Sequence, residues 1–166
     1  MSVLALDPGI RGCGVAVFDK NELVSCAYVK NPVSAGDDPA AVFAMSAAVI
    51  SWAQTAGAEH CTFEHPRIYT AAKSKGDNND LLPLVAVGYL VASRFENPVK
   101  VFPHEWKGQM PKEVCAARIR NRLNERELDT LDACLTKTGA KGHNVVDAVG
   151  IGLYAVDRFQ PKKSWE

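Results

Sequence analysis

The sequence lacks several features that would assign it to a specialised class of protein. No apolar run approaches the roughly 18 residues that a membrane-spanning helix needs, and no basic stretch precedes the short apolar segment 3–6. Neither sign of charge is in excess, because 19 Lys and Arg side chains balance 19 Asp and Glu. These absences argue against a membrane protein, an exported protein and a uniformly basic nucleic-acid coat. We therefore expect a cytoplasmic protein.

The five cysteines are odd in number and widely spaced, and none forms a Cys-x-x-Cys pair (Cys13, Cys26, Cys61, Cys115 and Cys134). This pattern argues against the common zinc and dithiol motifs and is typical of reduced thiols in the cytosol. Internal repeats are also absent, and 47% apolar and 23% charged residues are ordinary for a globular protein. A length of 166 residues predicts a single domain, 1–166.

The apolar pattern predicts an α/β fold with elements in the order βββαβαβα. Short strands at 3–6, 13–18 and 23–29 are close enough in sequence to form an antiparallel meander. A helix at 39–56 followed by a strand at 61–64 is typical of a crossover to a parallel neighbour. The remaining predicted elements are a helix at 80–94, a strand at 99–102, a basic helix at 112–123 and a closing helix at 144–158.

Three carboxylates occupy positions where burial is expected. Asp7 and Glu64 each end an apolar strand, and Asp147 lies within the apolar helical run 145–151. Because an unpaired buried carboxylate is costly, each must be hydrogen-bonded, paired with a cation or bound to metal. Taken singly they are explained as a turn residue, a strand-end charge and a salt-bridge partner. Taken together they predict a site for Mg²⁺ or Mn²⁺, and therefore phosphoryl chemistry with two ions.

Two polar residues just before Asp147 are candidates to complete this metal site. His143 and Asn144 lie on roughly the same helical face as Asp147 if the helix already includes them. The alternative is that Asn144 is only the N-cap of the closing helix, with His143 outside the helix as a ligand or proton carrier.

Charge is distributed unevenly along the chain. Segment 65–126 has a net charge of +5, whereas 1–64 has −4 and 127–166 has −1. The middle third is therefore where we expect a polyanion to bind.

Three segments, in order and spacing, resemble the active-site segments of RuvC-type Holliday junction resolvases, members of the ribonuclease H-like superfamily. They read LALDPGIRGCGVAVF at 4–18, TFE at 62–64 and HNVVDAVGI at 143–151. The resemblance implies a ribonuclease H-like mixed five-stranded sheet, with three antiparallel strands and then parallel crossovers, flanked by helices. It also implies a metal-dependent nuclease that cuts four-way DNA junctions. The Trp106–Lys107–Gly108 segment looks more like the phage or prophage branch of the family.

The same resemblance assigns roles to individual residues. Asp7, Glu64 and Asp147 become catalytic ligands of two Mg²⁺ ions, with Mn²⁺ as substitute. The family has Asp or His where this chain has Asn144, which leaves both Asn144 and His143 open as the fourth group. Lys107 and Lys112 are placed where the family has lysines that contact the scissile phosphate; the alternative is that both are ordinary solvated lysines.

The remaining DNA-binding candidates lie in the basic middle third. Arg118 and Arg122, four apart on a helix, are expected to share one face along the DNA backbone. Tyr69 falls where related enzymes insert an aromatic wedge, although packing within its own loop is the alternative. Lys73 and Lys75 are further candidates in that loop.

The helix at 80–94 is apolar nearly all round and resembles the element through which these resolvases form homodimers; the alternative is a fully buried core helix. Other functions also stay open. D-x-G-x-x-x-x-G opens the phosphate hairpin of actin-like ATPases, but this chain has no second copy. A ribonuclease H-like module that binds branched nucleic acid without cutting it, or a nuclease for RNA/DNA hybrids or flaps, shares the same carboxylates.

Overall fold

The centre of the fold is a mixed five-stranded sheet in a computed structural model that describes residues 1–34, 39–68 and 78–161. Its strands are β1 (Ser2–Asp7), β2 (Gly12–Asp19), β3 (Glu22–Lys30), β4 (His60–Glu64) and β5 (Val99–Val101). The spatial order is β3-β2-β1-β4-β5. β1, β2 and β3 are antiparallel, whereas β4 is parallel to both β1 and β5. The predicted meander and crossovers are confirmed.

Helices cover both faces of this sheet. They are α1 (Pro39–Thr55), α2 (Leu82–Ala92), α3 (Pro103–Trp106), α4 (Lys112–Arg120), α5 (Glu125–Thr138) and α6 (Gly142–Ala155). Because side chains alternate along a strand, Leu4 and Leu6 of β1 pack towards α1 and α2, while Ala5 packs towards α4, α5 and α6. Among the described residues, no helix is long and apolar enough to cross a membrane.

The boundaries of several helices differ from the sequence predictions, and two of these differences concern candidate site residues. The basic helix ends at Arg120, three residues before its predicted end, and residues 121 and 122 form a turn. The closing helix begins at Gly142, two residues before its predicted start. The second difference matters for the site, because it places His143 and Asn144 inside the first turn of α6.

One long helix, α5, was not predicted. Its sequence is strongly polar, and its apolar stripe, formed by the buried Leu131 and the partly buried Leu128, Cys134 and Leu135, is narrow. The start signal is nevertheless present in the sequence. Asn124 accepts a hydrogen bond from the Glu127 amide, and the Glu127 carboxylate accepts one from the Asn124 amide, which together form a capping box.

Candidate active site

Asp7 and Glu64 lie side by side because of the strand register. β1 and β4 are parallel neighbours in which Leu6 is opposite Phe63, so the next residue of each strand emerges at the same carboxyl edge. Glu64 is largely buried, its side chain being 14% exposed. The edge of the sheet thus positions two carboxylates with no contribution from a flexible loop.

Asp147 reaches the same edge from α6, which packs across β1 and β2. The close approach depends on Gly14, since any Cβ at this position would collide with the Asn144 carbonyl oxygen. Gly14 is also the cross-strand partner of Asp7. The first turn of α6 is therefore held directly over the strand pair that carries Asp7, with Asp147 less than one turn further on.

Lys107 connects two of the three carboxylates. Its Nζ lies 3.7 Å from Glu64 Oε2 and 3.7 Å from Asp147 Oδ2. It also lies over the ring of Trp106, 4.7 Å from the ring centroid. The buried Trp106 indole donates a hydrogen bond of 2.6 Å from Nε1 to Glu64 Oε2. Trp106 and Lys107 together fix the orientation of the Glu64 carboxylate.

The electrostatics of the cluster leave an excess of negative charge. Burial raises the pKa of Asp7 well above its usual range, and repulsion from Glu64 and Asp147 raises it further. Lys107 and Lys112 offset this only in part. Burial also raises the pKa of Glu64, against the opposing effects of Lys107 and Trp106.

Lys107 itself stays positively charged. Burial would lower the pKa of its ammonium group, but Glu64, Asp147 and Asp7 outweigh that effect and raise it. Even so, one bridging ammonium does not neutralise three carboxylates. The site retains the charge that favours a further cation.

The donor set fits a hard divalent cation in kind, because carboxylate oxygens are the ligands that Mg²⁺ and Mn²⁺ prefer. Among the described residues, no three Asp, Glu, His or Cys side chains are grouped closely enough to hold one ion. The Lys107 ammonium lies between Glu64 and Asp147 in this arrangement. Glu64 and Asp147 would hold a divalent cation together only if this ammonium moved from between them.

His143 and Asn144 lie beside this cluster in the first turn of α6. Because the helix begins at Gly142, Asn144 is not its N-cap, so that alternative is wrong. The Asn144 Nδ2 lies 3.5 Å from the Lys141 carbonyl oxygen, and the exposed His143 ring has Nδ1 3.2 Å from the Ala140 carbonyl oxygen. In the residues described, neither side chain forms a hydrogen bond or ion pair with Asp7, Glu64 or Asp147. Their role as metal ligands stays a prediction.

The DNA-binding candidates occupy different environments. Lys112, the first residue of α4, is exposed and near enough to Asp7 to lower the pKa of that carboxylate. Arg122 lies beyond the end of α4, so the prediction that it shares a helical face with Arg118 is wrong. Arg118 donates to Met110 Sδ at 2.8 Å and lies over the ring of Phe159. The other candidates, Tyr69, Lys73 and Lys75, lie outside the described residues.

Sequence reasoning missed two contributors to the site. No role in the site was predicted for Trp106 from the sequence, but its indole N–H donates a hydrogen bond to Glu64. Gly14 was not singled out, although the Gly-x-Gly spacing at 12–14 inside a strand signals a close approach of another element.

Comparison with known proteins shows the fold. No protein-family model and no curated protein matches the chain. Among solved structures, RuvC from T. thermophilus in complex with a Holliday junction substrate aligns with a TM-score of 0.64 at 20% identity. That alignment covers 98% of this chain and 99% of the other. Thermus thermophilus RuvC alone aligns with a TM-score of 0.60 at 17% identity over 98% and 100% of the two chains. The chain therefore has the RuvC fold over nearly its whole length.

Proposed function

We propose that this protein is a metal-dependent endonuclease that resolves four-way DNA junctions by paired phosphodiester hydrolysis. The observation that carries the proposal is the convergence of Asp7, Glu64 and Asp147 around Lys107 at the carboxyl edge of β1 and β4. The RuvC fold supports it, and one structure with that fold was determined with a Holliday junction. A shared fold does not set the substrate, so the proposal rests on the site.

In this proposal Asp7, Glu64 and Asp147 hold two Mg²⁺ ions, or Mn²⁺ in their place, and Asn144 or His143 completes the ligand set. When bound, such ions activate the attacking water and stabilise the leaving oxygen. The Trp106 indole keeps one oxygen of Glu64 oriented, because the bond it donates is short and its ring is buried.

Lys107 has a separate role in the proposed reaction. Its ammonium is charged at neutral pH and lies among the carboxylates, so it can move to an oxygen of the scissile phosphate as the DNA and the ions arrive. Contact with that oxygen would stabilise the negative charge that develops during cleavage. Lys112 lies at the same edge, where the backbone of the bound strand would pass.

The test is cleavage of a synthetic four-way junction at saturating Mg²⁺. Asp7→Asn should abolish cleavage and leave junction binding in Ca²⁺ intact, because the substitution removes a ligand charge and keeps the shape of the side chain. The matched control is Asp129→Asn, an exposed carboxylate on α5, which should cut like the unmodified protein. Substantial cleavage by the Asp7→Asn protein would contradict the metal site.

One observation favours a second candidate, a module that binds branched DNA without cutting it. Lys107 already pairs with Glu64 and Asp147, as the charge-neutralising lysine of an inactive site would. The same assay separates the two: junction binding without cleavage, in Mg²⁺ and in Mn²⁺, supports the binding module. Flap and RNA/DNA hybrid substrates in parallel reactions test the other nuclease specificities.

We further propose that the active protein is a homodimer formed through α2. Only four of the 11 residues of this helix are buried, namely Val87, Gly88, Val91 and Ala92, so the alternative of a fully buried core helix is wrong. Its other side and the adjacent α1 leave Leu82, Tyr89 and Phe43 at 54%, 47% and 60% exposure. These residues line an apolar groove of about 900 Å³ between α1 and α2. A two-fold contact there would bury the groove and pair two sites for the two opposed strands.

Sedimentation at micromolar concentration tests the dimer. Leu82→Glu and Phe43→Glu should give monomers with unchanged circular dichroism, since both side chains are exposed in the single chain. Val114→Glu is the matched control, because Val114 is 47% exposed on α4, away from the groove. An unmodified protein that sediments as a monomer and still makes paired nicks would contradict this arrangement.

A further inference from the structure

A pair of thiols lies where α5 packs against the edge strand β3, apart from the carboxylates. Cys26 of β3 and Cys134 of α5 lie close enough for hydrogen bonding between their thiols to shift the pKa of both. The Cys26 Sγ lies 3.9 Å from the Thr130 carbonyl oxygen, and the Cys134 Sγ lies 3.7 Å from Thr138 Oγ1. The sulfur of Cys26 therefore lies against α5 one turn before Cys134, and both cysteines line the same pocket.

Both thiols are accessible to small solutes. They are half-buried and line an open pocket of about 890 Å³ between β3 and α5. The pocket is also lined by four cationic side chains, those of Arg11, Lys30, Lys137 and Lys141. The other cysteines, Cys13, Cys61 and Cys115, are buried. A small oxidant thus reaches two of the five thiols far more readily than the rest.

The surroundings of the two sulfur atoms make the Cys134 thiol more acidic than the Cys26 thiol. The hydrogen bond from Cys26 lowers the pKa of Cys134 to about 6 against the effect of burial, with help from Thr138, the Tyr28 amide and Lys137. The same bond and burial raise the pKa of Cys26. Cys134 is consequently the thiolate nucleophile, and Cys26 is the neighbour able to resolve an oxidised Cys134.

We propose that Cys26 and Cys134 form a reversible intramolecular disulfide when the protein meets hydrogen peroxide. The Cys134 thiolate attacks one peroxide oxygen, the O–O bond breaks, and the departing hydroxide takes a proton to become water. The Cys26 sulfur, losing its proton, then attacks the sulfenic acid, and the S–O bond breaks to release a second water. Overall, two thiols and one peroxide give one disulfide and two waters, and a dithiol reductant reverses the change.

The cross-link would join distant parts of the chain. Residues 26 and 134 are separated by 108 positions, and closing so long a loop restricts the unfolded chain strongly. It would also attach α5 to β3 directly before the turn Gly139–Lys141 that leads into α6 and Asp147. We therefore expect the oxidised protein to unfold at a higher temperature than the reduced one.

Peptide mapping tests the disulfide without reference to DNA cleavage. Trypsin places the five cysteines on separate peptides, with Cys26 on 21–30 and Cys134 on 127–137. After peroxide, the unreduced digest should contain these two peptides linked, two of five thiols should be lost, and dithiothreitol should restore both. Five intact thiols, sulfinic acid without a cross-link, or a bond between different chains would each overturn the proposal.

Two variants sharpen the test. Cys26→Ser should leave Cys134 as a sulfenic acid that dimedone traps, because no resolving thiol remains. Cys115→Ala keeps the pair and should form the same linked peptide as the unmodified chain. If Cys26→Ser fails to fold, thermal unfolding of the unmodified protein still tests the proposal. A melting temperature that rises after peroxide and falls back after dithiothreitol supports the disulfide. An unchanged or lower melting temperature after peroxide contradicts it.

Discussion

The buried carboxylate of Glu127 and the cluster formed by Asp7, Glu64 and Asp147 have opposite electrostatic surroundings. Glu127, which is 1% exposed, accepts hydrogen bonds from the Leu23 amide at 2.7 Å and the Asn124 amide at 2.8 Å. Arg158 donates to both of its oxygens, at 2.6 and 2.8 Å. Burial would raise the pKa of Glu127, but these partners outweigh it and lower the pKa.

At the carboxyl edge of the sheet the balance is reversed. Asp7 has its pKa raised by burial and by two neighbouring carboxylates, and within the described residues no side chain forms an ion pair or hydrogen bond with it. This contrast shows that burial alone does not identify a functional carboxylate. Glu127 is satisfied and serves the fold, whereas the Asp7 cluster carries charge that the fold does not compensate.

The largest expected effect is that of replacing Lys107, whose ammonium lies among the carboxylates of the Asp7 cluster. Lys107→Ala should lower the cleavage rate by roughly 10²- to 10³-fold, the usual cost of removing one group that stabilises the transition state. Junction affinity should fall far less, because other basic residues supply phosphate contacts. Single-turnover cleavage and equilibrium binding measure the two effects separately. The control Lys137→Ala, on the exposed face of α5, should change neither the cleavage rate nor the junction affinity. If Lys107→Ala loses rate and affinity equally, Lys107 is an ordinary DNA contact.

The next largest effect is on stability and concerns Glu127, whose charge is compensated by Arg158. Glu127→Gln should cost roughly 3 kcal/mol of unfolding free energy at neutral pH, because it leaves Arg158 without a charged partner. Glu125→Gln, exposed in the same first turn of α5, should change the stability by only a few tenths of a kcal/mol. Urea denaturation of both variants measures the difference.

The pH dependence of the Glu127 effect has a definite sign. Since the folded-state pKa of Glu127 is lowered, its contribution is fully present above the ordinary pKa of glutamate and is lost as pH falls through the lowered value. The gap in stability between unmodified protein and Glu127→Gln should therefore shrink in acid. If this gap in stability stays constant from neutral pH to pH values below the ordinary pKa range of glutamate, the charge of Glu127 does not contribute to stability.

A smaller effect, of opposite direction, is expected at Asp7. Because its folded-state pKa is raised, ionisation of Asp7 costs stability as pH rises from the ordinary range through the raised value. Asp7→Asn removes that cost, because an amide carries no charge, and should therefore stabilise the metal-free protein at neutral pH. Added Mn²⁺ should stabilise only the unmodified protein. Destabilisation by Asp7→Asn without metal would show that Asp7 serves the fold, as Glu127 does.

The sequence was informative where a polar residue interrupts an apolar pattern. Asp7 and Glu64 were recognised because each directly follows a buried strand, and Asp147 because its helix is otherwise apolar. The same reasoning missed Glu127, since its helix is polar and its partner Arg158 lies 31 residues away. It also missed the Trp106 to Glu64 bond, which joins residues 42 apart. Contacts between distant segments leave no periodic signal in one sequence.

The smallest expected effect concerns two arginines with contrasting surroundings. Arg122 is exposed beyond α4, although its carbonyl oxygen accepts a hydrogen bond from Arg158. Arg118 is half-buried against Phe159 and bonded to Met110 and the Gln160 carbonyl. An arginine already occupied by protein partners has less to offer a phosphate. We therefore expect Arg122→Ala to flatten the slope of log affinity against log salt by up to about 0.9, the value for one phosphate contact.

Arg118→Ala should change that slope less and lower the melting temperature more, because its contacts pack α4 against the segment around Phe159. Junction binding across a series of salt concentrations, together with thermal unfolding of each variant, measures both quantities. Arg126→Ala, exposed near the start of α5, is the matched control for removing a surface arginine. If Arg118→Ala flattens the slope as much as Arg122→Ala does and costs no stability, Arg118 exchanges its contacts within the protein for contacts with DNA. In that case the hydrogen bonds and ion pairs of a cation in the unbound protein do not predict its function, whereas those of a carboxylate do.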